Sequence, residues 1–217
     1  VAKQYEQRSS CICPTPSVAS PKKGAVCPPV GKQAACKDLK DVDLAGAILK
    51  RIYGEQAFKA GRVPVQEDEV QAFDQRQVFS KFSAIPYNAL QNASMAREAY
   101  VFIPKACKEG QQCKLHVAFH GCLQGGLTDR RSGHSGNLFA KFAGYNEWAQ
   151  ANNVVVLYPQ IQARGSIPLN PQGCWDWWGQ NYTHEGYHTI RGKQTKAVAQ
   201  MINILAGEQA LLDVPAE

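Results

Sequence analysis

The sequence predicts an α/β fold, a mostly parallel sheet flanked by helices, on two observations. First, short β-prone runs at residues 99–103, 114–119 and 154–158 occur among longer amphipathic runs. Strands that alternate with helices form right-handed crossovers in a parallel sheet. Second, the run at residues 154–158 is Val-Val-Val-Leu-Tyr, which is apolar throughout. Such a run is typical of a strand that is buried on both faces of a parallel sheet.

Residues 1–40 differ in composition from the rest of the 217-residue chain. They contain five of its twelve prolines and four of its eight cysteines, and they show no hydrophobic period. We interpret them as an irregular segment that is stapled by disulfides. Residues 41–217 are predicted to form the domain that carries the sheet and its helices.

A first helix is predicted directly after Asp43, whose side chain can cap its N-terminus. Gly54 is typical of the residue at which a helix ends. Leu44, Ile48 and Ile52 recur at helical spacing and predict the buried stripe of this helix.

The remaining elements follow in chain order. Residues 60–69 are polar and predict a linker, and residues 77–82 predict a weak first strand. Further helices are predicted over residues 137–152 and 186–205, which carry apolar stripes. The second of these helices is expected to bury Ile190, Ala197, Met201 and Ile204.

Charge and cysteine content limit the class of protein. The formal net charge of +6 is scattered, so a nucleic-acid partner is not expected. No apolar run approaches the roughly 20 residues of a membrane-spanning helix. The cysteines are even in number and irregularly spaced, which favours disulfides over zinc and predicts a secreted or periplasmic protein. They are Cys11, Cys13, Cys27, Cys36, Cys107, Cys113, Cys122 and Cys174.

The most informative motif is His120-Gly121-Cys122, directly after the strand predicted at residues 114–119. A turn of this kind can present backbone N–H groups at the top of a sheet, where acyl-transfer enzymes stabilise an oxyanion. A plain strand-to-helix turn is the structural alternative.

A second motif holds three tryptophans within four positions, Trp175, Trp177 and Trp178. Aromatic side chains in a loop provide a rigid apolar wall for a ligand, although they can also form a structural plug. The neighbouring Cys174 could join this loop to Cys122, and thus connect two candidate walls of one crevice.

No nucleophile motif is visible, because the chain contains no Gly-x-Ser-x-Gly. The nearest string, at residues 133–136, does not follow a strand. His184 and His188 are interpreted as solvent-facing rather than as a metal pair, and His116 as a packing residue within a strand. Neither a metal nor an organic cofactor is predicted.

These motifs together resemble the poly(3-hydroxybutyrate) depolymerase-like esterase family. Residues 114–124 resemble its L-H-V-x-x-H-G-C-x-Q segment, and residues 173–177 match its G-C-W-D-W loop. Similar segments lie at residues 100–107, 145–149 and 155–160. Members of this type are circularly permuted α/β-hydrolases, and the chain is similar to their C-terminal half alone.

The resemblance implies a serine esterase in which the backbone at Cys122 stabilises the oxyanion and the Ser-Asp-His triad comes from another segment. It implies a substrate crevice formed by His120, Gly121, Gln124, Trp175, Trp177 and Trp178. It also implies the disulfides Cys107–Cys113 and Cys122–Cys174, which leaves Cys11, Cys13, Cys27 and Cys36 to pair among themselves.

The sequence hypothesis is therefore a secreted esterase acting on a polyester or its oligomers. A strand as apolar as residues 154–158 would be a sticky edge if nothing paired beside it. We therefore expect a longer precursor or a companion chain to complete the sheet and supply the triad. The alternatives are a non-catalytic binding protein derived from this fold and a hydrolase acting on polymer amide bonds.

Overall fold

The coordinates, a computed structural model, describe residues 43–77, 93–122, 124–126, 137–166, 169–176 and 186–208. The predictions for residues 1–40 with their four cysteines, for the string at residues 133–136, for His184, and for Trp177 and Trp178 lie outside the described residues.

The described strands form one mixed sheet in the order β1-β2-β4-β3. They are β1 (Val70–Asp74), β2 (Glu98–Phe102), β3 (Lys114–Val117) and β4 (Val154–Tyr158). β3 and β4 are parallel, whereas β2 is antiparallel to both β1 and β4. The α/β class is confirmed, but the described part of the sheet is mixed rather than mostly parallel. Only the β3–β4 connection carries the helical crossover that parallel neighbours need.

β4 lies between β2 and β3, so it is a central strand and not an edge. Val154, Val156, Leu157 and Tyr158 are fully buried, which confirms the prediction of a strand covered on both faces. The outer strand on this side of the described sheet is β3.

The first strand lies earlier than the sequence predicted. β1 ends at Asp74, and the chain turns into a short helical segment that includes Gln77. The Asp74 carboxylate accepts the backbone N–H groups of Arg76 at 3.0 Å and Gln77 at 2.9 Å. Because this local turn competes with an extended backbone, the strand predicted over residues 77–82 is wrong at Gln77, and residues 78–82 are not described.

Helix α1 (Leu44–Tyr53) has the predicted ends. The Asp43 Oδ1 accepts the N–H of Gly46 at 2.8 Å, and Gly54 ends the helix with φ of 87°.

Of the predicted stripe of α1 only Ile48 packs, half-buried, against the core. Leu44 and Ile52 are 48% and 59% exposed. Ala45 and Leu49 point inward instead. A Cβ on Gly46 would lie 2.6 Å from the ring of Trp148. The helix therefore packs through its small residues, which admit the indole.

Four further α-helices have both ends among the described residues: α2 (Lys105–Lys108), α3 (Asn137–Phe142), α4 (Tyr145–Asn152) and α5 (Lys193–Asn203). The helix predicted over residues 137–152 is divided by Gly144, which adopts a left-handed φ of 86°. The helix predicted from residue 186 begins at Lys193, because turns occupy residues 186–192. Ile190 is consequently 64% exposed, whereas Ala197, Met201 and Ile204 are buried as predicted.

Helices cover both faces of the sheet. On one face α1, α3 and α4 pack against Phe102 and Tyr158. On the other face α5 packs against Val101 and Leu157. In the parts of the chain that the structure describes, no helix combines the length and hydrophobicity needed to cross a bilayer.

Candidate active site

His120 lies just beyond β3 and is 3% exposed. Its Nδ1 lies 2.7 Å from the carbonyl oxygen of Gly121, and its Nε2 lies 3.0 Å from the backbone nitrogen of Ile161. A carbonyl only accepts and an amide N–H only donates, so the ring proton resides on Nδ1. Burial lowers the pKa of His120 to about 4, against a smaller opposing effect of the Gly121 carbonyl. The imidazole is therefore neutral at neutral pH.

The predicted substrate contact of His120 is corrected by this geometry. Both ring nitrogens are engaged by backbone groups, and the ring is buried, so neither nitrogen is left for a ligand. The residue instead connects the end of β3 to the end of β4.

Two hydrogen bonds between Gly121 and Gln124 close the turn. The Gly121 N–H donates to the Gln124 Oε1 at 2.7 Å, and the Gln124 N–H donates to the Gly121 oxygen at 3.2 Å. Gly121 and Cys122 are exposed. Among the described residues the Cys122 N–H has no acceptor, and its role as an oxyanion donor stays a prediction.

Trp175 stands beside this turn. Its ring meets Phe119 edge-on at 4.9 Å between centroids and lies 5.6 Å from the ring of His120. Its indole Nε1 is buried and has no hydrogen-bond partner in the described part of the chain. The turn and the tryptophan loop thus occupy the same side of the molecule.

Disulfides join Cys122 to Cys174 and Cys107 to Cys113, and both predicted pairings are confirmed. The first of them connects the turn directly to the residue before Trp175.

Asn170 holds the tryptophan loop from below and was missed by the sequence analysis. It is 1% exposed; its Oδ1 accepts the N–H of Cys174 at 2.9 Å, and its Nδ2 donates to the Cys174 oxygen at 2.8 Å. Asn170-Pro171 is a turn signal that could have drawn attention to it.

Gln160, directly after β4, was also missed. It is fully buried, and its Oε1 accepts the N–H of Gly126 at 3.0 Å. Beneath it, the Gln75 amide donates to the oxygens of Ala96 and Gln160, both at 2.7 Å. Buried amides that satisfy loop backbone groups give no periodic signal in a sequence.

The described residues contain no serine-histidine pair. Ser94 is fully buried, and His116 lies 3.4 Å from the Tyr53 hydroxyl with its pKa lowered by burial. His116 is thus a packing residue, as predicted. Within the same residues, no three His, Cys, Asp or Glu side chains gather as metal ligands.

No family model matches the chain. It is similar to two curated proteins, and it spans less than half of the length of either. A poly(3-hydroxybutyrate) depolymerase of Delftia acidovorans is 32% identical over 164 residues, which cover 74% of this chain and 28% of that protein. A polyhydroxybutyrate depolymerase of Talaromyces funiculosus is 36% identical over 177 residues, which cover 77% of this chain and 46% of that protein.

Two solved structures share the fold. One is a PHB depolymerase in a serine-to-alanine variant, complexed with an R3HB trimer, with a TM-score of 0.61 and 31% identity over 79% of this chain and 50% of that one. The other is a PHB depolymerase from Penicillium funiculosum, with a TM-score of 0.59, 32% identity and the same coverage. The resemblance inferred from the motifs, and the α/β-hydrolase-like fold that it implies, are confirmed.

Proposed function

The chain is a homologue of the polyhydroxybutyrate depolymerases over 74–77% of its length, and from this we propose that it forms part of a secreted serine esterase. The bonds hydrolysed are the esters of poly(3-hydroxybutyrate), of its oligomers or of a related polyester. The two disulfides support a location outside the cytosol.

The observation that carries the proposal is the exposed backbone of Cys122, which a disulfide fixes to the residue before Trp175 and whose N–H has no acceptor among the described residues. A serine oxygen attacks the ester carbonyl, and the negative charge that develops on the carbonyl oxygen is stabilised by this donor. The triad histidine takes the proton of the serine hydroxyl and passes it to the alcohol, which leaves as the bond from the carbonyl carbon to the alcohol oxygen breaks. Water then hydrolyses the acyl-enzyme. Removal of one such donor typically lowers kcat by about 100- to 1,000-fold.

The apolar surface beside the donor suits a polyester. Phe119 is 52% exposed and packs against Trp175. Together they offer aromatic area next to the turn, and such area binds apolar acyl chains without requiring charge. We include Trp177 and Trp178 in this wall because they continue the same loop in sequence.

The nucleophile is proposed to come from a further segment that pairs with β3, either in a longer precursor or in a companion chain. β3 is one of the two outer strands of the described sheet, and Leu115 and Val117 on it are half-buried against the cluster around α5. A parallel strand added at this edge would end beside the His120 turn. A residue at that end would therefore reach the Cys122 N–H.

Treatment of the complete protein, meaning the longer precursor or the chain together with its companion, with a fluorophosphonate and with an R-3-hydroxybutyrate trimer tests the proposal. We expect covalent labelling, release of carboxylic acid from the trimer, and loss of that release after labelling. Trp148→Phe, on the far side of the sheet, is the matched variant that keeps turnover.

Absence of both labelling and hydrolysis overturns the esterase assignment. If the trimer still binds, a binding protein built on this fold takes its place. Faster cleavage of the corresponding amide than of the ester would favour the polymer-amide alternative.

A further inference from the structure

We propose that His120 is a positioning residue that aims the Cys122 N–H, because it holds the carbonyl oxygen of the same peptide unit. The inference rests on the proposed esterase function and adds a role within that site. It concerns a side chain that does not touch the substrate.

The peptide bond between Gly121 and Cys122 links the two groups. In a trans peptide the C=O and the N–H lie in one plane and point in opposite directions. The Gly121 oxygen accepts the His120 Nδ1–H at 2.7 Å and the Gln124 N–H at 3.2 Å. With the carbonyl directed into the protein, the Cys122 N–H is directed away from it, toward the exposed side of the turn.

The imidazole that provides this bond is itself fixed on every side. Ile161 donates its N–H to Nε2 at 3.0 Å. A Cβ on Gly125 would overlap the ring atoms of His120, so the glycine backbone lies directly against the ring. Phe139 and Trp175 face the ring at centroid distances of 6.4 Å and 5.6 Å. The orientation of the ring is therefore set by the ends of both parallel strands.

Neutrality of the ring completes the argument. If Nε2 carried a proton, it would present a second donor to the Ile161 N–H, and the bond that orients the ring would be lost. Burial, which lowers the pKa of His120 to about 4, keeps this nitrogen an acceptor at neutral pH.

Two substitutions separate the two nitrogens. In His120→Asn the side-chain amide nitrogen can occupy the place of Nδ1 and retain the bond to the Gly121 carbonyl. In His120→Gln the amide reaches the place of Nε2 and can retain only the contact with Ile161. If His120 aims the oxyanion donor, His120→Asn keeps kcat within about tenfold of the parent, while His120→Gln lowers kcat by about 100-fold with little change in KM.

Equal losses of kcat in both variants, or a larger loss in His120→Asn, would overturn the proposal, since the Ile161 contact alone would then matter. A change confined to KM would also overturn it. Thermal denaturation of each variant checks that the variant is folded at the temperature at which its kcat is measured.

A measurement on the parent protein keeps this inference separate from the esterase assignment. Nitrogen-15 NMR of the imidazole is expected to show a neutral ring protonated at Nδ1, whether or not any ester is hydrolysed. A ring protonated at Nε2 would overturn the inference even in an active enzyme. An inactive protein with the expected ring state would instead contradict the esterase assignment and leave the state of the His120 ring as inferred.

Discussion

Two reciprocal hydrogen bonds connect the ends of the neighbouring parallel strands β3 and β4. His120, after β3, accepts the N–H of Ile161 beyond β4, and Gln160, after β4, accepts the N–H of Gly126 beyond β3. Gln160 is fully buried and supported by Gln75, so it serves the scaffold.

His120 also bonds the peptide that carries the candidate oxyanion donor. The two ends therefore have a common geometry and different duties. One end fixes the loops, and the other directs a donor into the site.

The largest expected effect comes from the Cys122–Cys174 disulfide. We expect it to contribute more to the free energy of unfolding than either of the two hydrogen bonds between the strand ends. Replacing Cys122 and Cys174 together by serine opens a cross-link between residues 52 apart in sequence. Loop-closure entropy then lowers the free energy of unfolding by about 4 kcal/mol. Chemical denaturation under oxidising conditions measures it.

The control for this variant is replacement of Cys107 and Cys113, which are 6 residues apart. The same reasoning gives a loss of about 2 kcal/mol. If the short loop costs as much as the long one, chain entropy is not the source of the stability.

Acid should distinguish the two strand ends, because only His120 titrates. Burial lowers its pKa from the ordinary value of 6.5 to about 4 in the folded protein, so the unfolded chain binds more protons between these values. Stability therefore decreases as the pH falls from 6.5 towards 4, by about 3 kcal/mol from this residue.

Unfolding curves at pH 7 and pH 4.5 measure this loss, and His116 adds to it in the same direction. In His120→Asn the contribution of His120 should disappear while that of His116 remains. A parent protein equally stable at both pH values would contradict the pKa assignment.

Gln160→Met isolates the scaffold end of the comparison. Methionine has a similar length but cannot replace the acceptor, so the Gly126 N–H is left unpaired, at a cost of about 2 kcal/mol. Gln111→Met, at an exposed position, should change the unfolding free energy little. If Gln160→Met were as stable as Gln111→Met, the hydrogen bond between Gln160 and Gly126 would carry no stability.

The smallest expected effect is at Trp148, away from both strand ends. It serves as a control for general destabilisation. The Trp148 Nε1 donates to the Asp43 Oδ2 at 2.7 Å, on the face of the sheet opposite to that against which Trp175 packs. Trp148→Phe should lower the free energy of unfolding by about 1 kcal/mol while leaving ester hydrolysis unchanged. A loss of turnover here would show that general destabilisation accounts for the effects at His120.

The sequence predicted the parts of the molecule that depend on local pattern. β4 was predicted at its observed limits because a short run that is apolar throughout is stable only where both of its faces are buried. α1 was predicted from its cap, and the pairing of Cys122 with Cys174 from the family motif. The outward position of Ile52 could not be foreseen, since it follows from the fit of Trp148 onto Gly46, which lies 102 positions earlier.

The candidate site was predicted unevenly for a similar reason. The turn at Cys122 and the aromatic loop are contiguous motifs and were found. The buried supports at Gln160 and Asn170 act through backbone groups that are distant in sequence, and single polar side chains of this kind are indistinguishable from surface residues. The direction of the His120 ring depends on Ile161, which lies beyond the end of another strand, β4.

The contact between Gly125 and His120 has a consequence for redesign of this turn. Because a methyl group at position 125 would overlap the imidazole, the two positions constrain each other. A shorter side chain at position 120 would open a void that alanine at position 125 could occupy. We therefore expect some double variants at positions 120 and 125 to fold, even though the same substitution at position 125 alone prevents folding.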